Sequence, residues 1–268
     1  MPLHVQLVIT LITGSGVFCL LLGLFGFLSH KNPQALPPVP LFPDSRFLCI
    51  FSYFYTICFG IIFAMGSVHG YMHQDSAAAM DADLTSFCVN AVYQIALYVP
   101  FLIIYLRLPS RNFPSTVGQK VRWIFGFLLL MLIPGMILEA LKLPEWIAEV
   151  TGAPVLQDVV TTIKDGSIEI KIAMIVMAVI VAPVTEEVFF RGFVYNILKK
   201  WTSPVPAAIA SSFFFAIVHA SLPQALPLTL FALIQCWAYE KARSLWLPIV
   251  LHMLFNSTSC LAILFLLD

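Results

Sequence analysis

Two adjacent glutamates and an arginine lie inside a long apolar run, and their types and spacing make them the strongest candidates for chemistry. Glu186, Glu187 and Arg191 occur within residues 171–199. Ionisable side chains inside a membrane segment are costly and usually functional. Glu187 and Arg191 are four residues apart with the acid first, which favours an ion pair on one helix face. Glu186 points about 100° away, so we predict that it has no partner in its own helix and is free to act as a base.

Two further residue pairs have helical spacing nearer the C-terminus: Phe215 with His219, and His252 with Asn256. At about 1.5 Å per helical residue, Glu186 and His219 lie roughly 20 Å, and His252 and Asn256 roughly 9 and 15 Å, from the same membrane face. Polar groups from three helices therefore reach similar depths. A carboxylate in a low-dielectric site can act as a general base, and an imidazole and an amide can donate hydrogen bonds to developing negative charge.

The amino-acid composition indicates the class of protein to which these residues belong. Of the 268 residues 60% are hydrophobic and 10% are charged, whereas soluble domains have about 45–50% apolar and 25% charged residues. We predict an all-α, polytopic membrane protein with about eight transmembrane helices, whose main surroundings are the lipid bilayer. The net formal charge is zero and no basic cluster is present, so we expect no nucleic-acid partner.

The predicted helices follow the apolar segments, and they cover residues 5–28, 47–68, 86–106, 123–140, 171–199, 205–220, 224–239 and 246–268. The first lacks the basic start of a signal peptide, so we expect it to be retained. Residues 144–150 begin with proline and precede Gly152, which predicts a short helix lying in the membrane interface. We therefore divide the chain into 1–170, with helices one to four and this interfacial connection, and 171–268, a catalytic core of helices five to eight.

Basic residues predict the orientation in the membrane, because they concentrate in cytoplasmic loops. With Arg191 left aside, the odd-numbered loops carry Lys31, Arg46, Arg107, Arg111, Lys120, Arg122, Lys199, Lys200, Lys241 and Arg243, and the even-numbered loops carry Lys142, Lys164 and Lys171. Both termini should then be non-cytoplasmic. We expect a multi-pass protein of the inner membrane if the source is bacterial, or of the endoplasmic reticulum if it is eukaryotic.

Three smaller features support weaker predictions. Pro183 frees the carbonyl of Val179 and predicts a bend just before the glutamates. His69 and His73, with Asp75 nearby, have a spacing that can hold a metal, although polar residues in an aqueous loop explain them better. The cysteines lie in apolar segments without a CxxC pair, which predicts small buried side chains; they are Cys19, Cys49, Cys58, Cys88, Cys236 and Cys260.

The order and spacing of the polar residues resemble the successive motifs of the CPBP intramembrane proteases. The motifs are Glu186-Glu187-x-x-x-Arg191, Phe215-x-x-x-His219 and His252-x-x-x-Asn256. This family groups the eukaryotic type II CAAX prenyl endopeptidases with bacterial and archaeal relatives linked to bacteriocin immunity, the Abi proteins. The resemblance covers about residues 171–259, and the first four predicted helices carry no motif.

The resemblance implies hydrolysis of a peptide bond in a membrane-associated protein or peptide. Glu186 and His219 would activate a water molecule, and His252 and Asn256 would form an oxyanion hole. The residues expected to support this site are Glu187, Arg191 and Phe215. The sequence leaves open whether the substrate is prenylated.

A metal is the alternative to direct activation of water, since family members have been called metalloproteases. Glu186, His219 and His252 could hold zinc with one position open to water. However, Asn256 beside His252 suits an oxyanion hole better, and the chain has no HExxH motif. We therefore expect that activity requires no tightly bound metal.

Two other classes of membrane protein compete with a protease. Intramembrane glutamate and histidine also form the proton relays of transporters, but the two halves of this chain show no repeat. The chain could also be a catalytically silent scaffold or immunity protein, because single histidines and asparagines often only join helices. A protease loses its function when Glu186 becomes alanine, whereas a scaffold retains it.

Overall fold

The computed structural model describes Val99, residues 116–154 and residues 158–265. Within these residues every regular element is helical, which confirms the predicted all-α class for this part of the chain. Apart from Val99, predicted helices one to three lie outside the described residues, and so do His69, His73 and Asp75. The count of eight transmembrane helices and the weak metal hypothesis for that loop stay predictions.

The helices follow one another with short connections. They are α1 (Val117–Ala140), α2 (Leu143–Thr151), α3 (Asp158–Asp165), α4 (from Ile168 to Trp201), α5 (Pro204–Val218), α6 (Ala225–Ala242) and α7 (Trp246–Phe265). Predicted helices four to eight correspond to α1, α4, α5, α6 and α7. The helix α3 lies in a connection for which the sequence analysis predicted only the preceding interfacial helix.

Three described helices are long and apolar enough to cross a membrane: α1 with 24 residues, α7 with 20, and the 32-residue stretch Ile168–Lys199 of α4. The helix α5 is shorter, with 15 residues. At about 1.5 Å per residue it extends about 22 Å, less than the roughly 30 Å of a bilayer core. Predicted helices four, five and eight are thus confirmed as candidate spans, whereas helices six and seven are confirmed only as helices.

Local sequence explains where the first two helices begin and end. The helix α1 starts earlier than predicted because Thr116 and Gln119 form a capping box, with each side chain bonded to the backbone N–H of the other. The helix α2 has Pro144 in its first turn and ends at Gly152, which has a φ of 72°. Glycine adopts this left-handed conformation at no steric cost. The short predicted helix is therefore confirmed, although its position relative to a membrane interface stays a prediction.

The long helix α4 contains two π-helical segments, Met177–Val181 and Val188–Tyr195, on either side of the glutamates. Proline lacks an N–H and its ring crowds the carbonyl four residues earlier, so the turn before Pro183 widens and the N–H of Ala182 bonds to the carbonyl of Met177. Pro183 thus follows a π turn, while the predicted bend of the helix stays a prediction. Such turns are frequent at functional sites.

Small residues allow α5 to lie against its neighbours. Ala207, Ser211 and Ser212 are almost fully buried, and Ser211 Oγ lies 3.5 Å from the carbonyl oxygen of Phe190 on α4. Small side chains permit the close backbone approach typical of membrane helix pairs. The core around this contact is largely aromatic; it includes Phe189, Phe190, Phe193, Phe214, Phe215 and Phe231. Two of the cysteines lie in the described part of the chain, Cys236 and Cys260, and both are buried as predicted.

Candidate active site

Three helices bring Glu186, His219 and His252 together. Oε2 of Glu186 on α4 lies 4.0 Å from Nε2 of His219, which caps the C-terminal end of α5. The same oxygen lies 3.9 Å from Nε2 of His252 on α7. These three residues, predicted to reach similar depths, are thus close together in the packed helices, and their depth in a membrane stays a prediction. One carboxylate oxygen and two imidazole nitrogens face a common point.

This point is accessible to a bound molecule from one side. The side chain of Glu186 is 19% exposed and that of His219 is 25% exposed, whereas His252 is buried at 5%. His252 is therefore the enclosed member of the group, whereas Glu186 and His219 are partly exposed to solvent.

The backbone of α5 determines which nitrogen of His219 faces the glutamate. Nδ1 of His219 lies 2.7 Å from the carbonyl oxygen of Phe215, one turn earlier. A carbonyl only accepts, so the neutral ring donates Nδ1–H and presents Nε2 as an acceptor. The Phe215 ring also lies against the imidazole, with a centroid separation of 4.5 Å. Phe215 thus supports the site through both its backbone and its ring.

The ion pair predicted between Glu187 and Arg191 is present. Nη1 of Arg191 donates to Oε1 of Glu187 at 3.0 Å, and both side chains are almost fully buried. Nη2 of Arg191 donates to the carbonyl oxygen of Ala232 on α6 at 3.2 Å. The guanidinium also lies over the Phe215 ring, 4.8 Å from its centroid. Arg191 therefore joins α4 to α5 and α6 beneath the site.

Glu187 makes a second contact that the sequence analysis missed. Its Oε1 lies 2.8 Å from Nδ1 of His252, which is 65 residues away in the chain. Helical spacing could not reveal this contact, because it joins two different helices. The glutamate predicted to be purely structural is thus directly bonded to a predicted catalytic histidine.

Asn256 is held differently from the other predicted site residues. Its Nδ2 donates to the carbonyl oxygen of Ala178 at 2.7 Å. Ala178 belongs to the first π segment of α4, so this bond joins α7 to the turn before Pro183. An amide nitrogen has two hydrogens, and one of them is engaged here.

The three converging residues do not form a recognisable metal centre. In the part of the chain that the structure describes, no group of three or more His, Cys, Asp or Glu side chains has the arrangement of a metal site. Ligands of a tetrahedral zinc with bonds of about 2.0–2.2 Å lie about 3.3–3.6 Å apart. The atoms of Glu186, His219 and His252 are farther apart, at 3.9 and 4.0 Å. This geometry does not support the metalloprotease assignment.

Comparisons with known proteins match the same region of the chain. Residues 168–258 match the family described as type II CAAX prenyl endopeptidase Rce1-like. The chain is also 33% identical over 84 residues to the putative membrane peptidase YdiL of Bacillus subtilis (strain 168). That alignment covers 31% of this chain and 34% of the relative, so only about a third of either protein is compared. No solved structure gives a significant match.

Proposed function

We propose, on the premise that residues 168–258 match the Rce1-like family, that this protein is an intramembrane endopeptidase. The family and the membrane peptidase relative support a peptidase in general, and the apolar helices support an integral membrane protein. The observation that carries the specific mechanism is the convergence of Glu186 and His219 on a partly exposed point. Both residues lie within the matched region.

In the proposed reaction, Glu186 is the general base. It removes a proton from a water molecule while the water oxygen bonds to the carbonyl carbon of the substrate. His219 presents an unprotonated Nε2 on the same side, so it can accept the second water hydrogen and orient the attack. When the tetrahedral intermediate collapses, the carbon–nitrogen bond breaks and the proton held by Glu186 passes to the leaving amine. No covalent enzyme intermediate is required.

The negative charge that develops on the carbonyl oxygen needs hydrogen-bond donors. We assign this role to the Nε2–H of His252 in its doubly protonated, imidazolium form and to the second N–H of Asn256, following the motif order of the family. Removing one such donor typically lowers kcat by about 10²–10³-fold. His252 faces Glu186 at 3.9 Å, so a substrate carbonyl beside the glutamate would also lie beside this imidazole.

The substrate we propose is a membrane-associated protein or peptide. Glu186 lies in a candidate membrane span and His219 follows a shorter apolar helix, which favours a substrate delivered within or at the bilayer. The matched family is described as a type II CAAX prenyl endopeptidase, while the bacterial relative is described only as a membrane peptidase. The proposed substrate class therefore includes peptides with and without a prenyl group.

Comparative analysis of membrane peptides tests the function. Cells that produce the wild-type protein should contain cleaved fragments of at least one membrane-associated protein, and cells that produce Glu186→Gln at equal abundance should retain the uncut precursor. Glu240→Gln is a matched control, because it replaces a glutamate in the Lys199–Glu240 ion pair and should leave the fragments unchanged. The cleavage must then be reproduced with purified protein and the identified precursor. Identical peptide profiles for wild type and Glu186→Gln would reject the proposal.

A further inference from the structure

We propose that Glu187 is a positioning residue for the proposed hydrolysis, because it holds the His252 imidazole in the orientation that aims Nε2 at the reaction centre. This inference deepens the proposed function and rests on it. Glu187 then affects the rate of hydrolysis, in addition to forming its ion pair with Arg191.

The first observation is the geometry of the contact. Oε1 of Glu187 lies 2.8 Å from Nδ1 of His252, within the range of a charge-assisted hydrogen bond. A carboxylate can only accept, so Nδ1 carries the proton and donates it to Glu187. The two ring nitrogens of histidine are distinct, and the bond made by one determines what the other can do. Nε2, on the other side of the ring, then faces Glu186. It can donate to an oxyanion when the ring carries a second proton, and the Glu187 carboxylate balances the positive charge of that form.

The second observation is that the contact is enclosed. Glu187 is fully buried and the His252 side chain is 5% exposed. The ring of Phe231 also lies against the imidazole, with centroids 4.9 Å apart. Water cannot readily replace the carboxylate as the partner of Nδ1 in such surroundings. The orientation of His252 thus depends on Glu187.

The third observation concerns Arg191. Its Nη1 donates to the same Oε1 of Glu187 that faces His252. Through Nη2 and the carbonyl of Ala232, the guanidinium fixes the carboxylate to α6. The guanidinium and the imidazole thus both donate to one buried carboxylate oxygen. A continuous series of hydrogen bonds therefore connects α6 to His252 through Arg191 and Glu187.

A merely structural role for Glu187 makes a different prediction from a positioning role. If Glu187 only balances the charge of Arg191, the neutral double variant Glu187→Gln/Arg191→Leu should recover normal turnover per folded molecule. If Glu187 positions His252, this double variant should fold yet stay slow, because the carboxylate partner of Nδ1 is still missing. We expect kcat to fall by about 10²-fold with little change in KM. This loss is similar to the one seen when an enzyme loses one hydrogen-bond donor of its oxyanion hole.

The experiment compares wild type, Glu187→Gln, the double variant and the control Glu240→Gln, with kcat and KM measured per folded molecule in lipid or detergent. NMR of protein labelled with ¹⁵N-histidine, assigned with His252→Gln, reports which ring nitrogen of His252 carries the proton. We expect a protonated Nδ1 in the wild type, a changed His252 signal in both Glu187 variants, and an unchanged signal in the control. Wild-type kcat in the double variant would overturn the positioning role, and so would a wild-type His252 without a proton on Nδ1.

The two readouts also separate this inference from the proposed function. If no substrate is cleaved and Glu186→Gln behaves as the wild type, the peptidase proposal fails. The NMR result then still shows whether Glu187 determines the state of His252. Should Glu187→Gln fail to fold, the double variant and the wild-type NMR signal decide the question.

Discussion

Asn256 on α7 donates a hydrogen bond to the carbonyl oxygen of Ala178 on α4, with 2.7 Å between the two heavy atoms. The acceptor belongs to the π turn that precedes Pro183, where one backbone bond of the regular helix is missing. The residue expected to stabilise an oxyanion therefore also joins two helices next to the glutamates. Both roles are compatible with one amide group because it has two N–H donors.

Asn256→Leu should lower both stability and turnover. The variant leaves the partly buried Ala178 carbonyl without its donor, which costs about 1 kcal/mol, at the low end of the range for unsatisfied groups. It also removes a proposed oxyanion donor, which lowers kcat by about 10²–10³-fold. Thermal unfolding and cleavage per folded molecule measure the two effects. Ser257→Ala is the control, since that hydroxyl bonds only within α7 to Met253. A stable variant with normal kcat would contradict both roles.

Glu186→Gln should abolish hydrolysis without loss of stability. Glutamine keeps the size and hydrogen-bonding capacity of the side chain but cannot accept the proton from water. The side chain is partly exposed and makes no close ion pair, so the melting temperature should stay near that of the wild type. A variant that melts early, or one that still cleaves, would show that the general base is assigned wrongly.

Removing one member of the buried ion pair should destabilise the protein. Glu187→Gln leaves Arg191 as an unbalanced buried charge, which typically costs about 3–5 kcal/mol. Arg191→Leu should cost less, because Glu187 still accepts from His252. The double variant Glu187→Gln/Arg191→Leu should regain part of the loss, since the two effects are coupled. Melting temperatures and membrane abundance of all three variants test this cycle, and strictly additive losses would argue against the pair.

Activity should survive removal of metal ions. Glu186, His219 and His252 are spaced more widely than zinc ligands, and the proposed mechanism uses the carboxylate directly as the base. Purified protein should therefore keep its turnover after dialysis against a strong chelator, with metal content followed by elemental analysis. One zinc per chain, together with activity that is lost on chelation and restored by zinc, would require a metal-dependent mechanism instead.

Both termini should be non-cytoplasmic, as the distribution of basic residues predicts. A C-terminal fusion to alkaline phosphatase should be active, because that enzyme folds only outside the cytoplasm, and a C-terminal fluorescent protein should be dark. A fluorescent, phosphatase-inactive C-terminus would reverse the orientation. The side from which a substrate reaches Glu186 would then be reversed as well.

Features that depend on a single helix could be predicted from the amino-acid sequence. Hydrophobic content and continuous apolar segments require helices in a membrane, since each helix satisfies its own backbone hydrogen bonds. The spacing of four residues was sufficient to predict the Glu187–Arg191 pair, which the structure shows at 3.0 Å. Counting the rise per residue also predicted that Glu186, His219 and His252 lie at similar depths.

The faces on which the helices meet depend on their packing in three dimensions and could not be predicted. The bonds from Glu187 to His252 and from Asn256 to Ala178 cross 65 and 78 residues of chain, and they depend on how α4 and α7 are rotated against each other. Helix packing is set by the fit of many side chains, and that fit cannot be read from any single segment. The two π segments in α4 add to the difficulty, because each widened turn shifts the residues after it away from regular helical spacing. The helical spacing predicted different roles for Glu186 and Glu187. In the packed structure, however, both carboxylates lie beside the imidazole of His252.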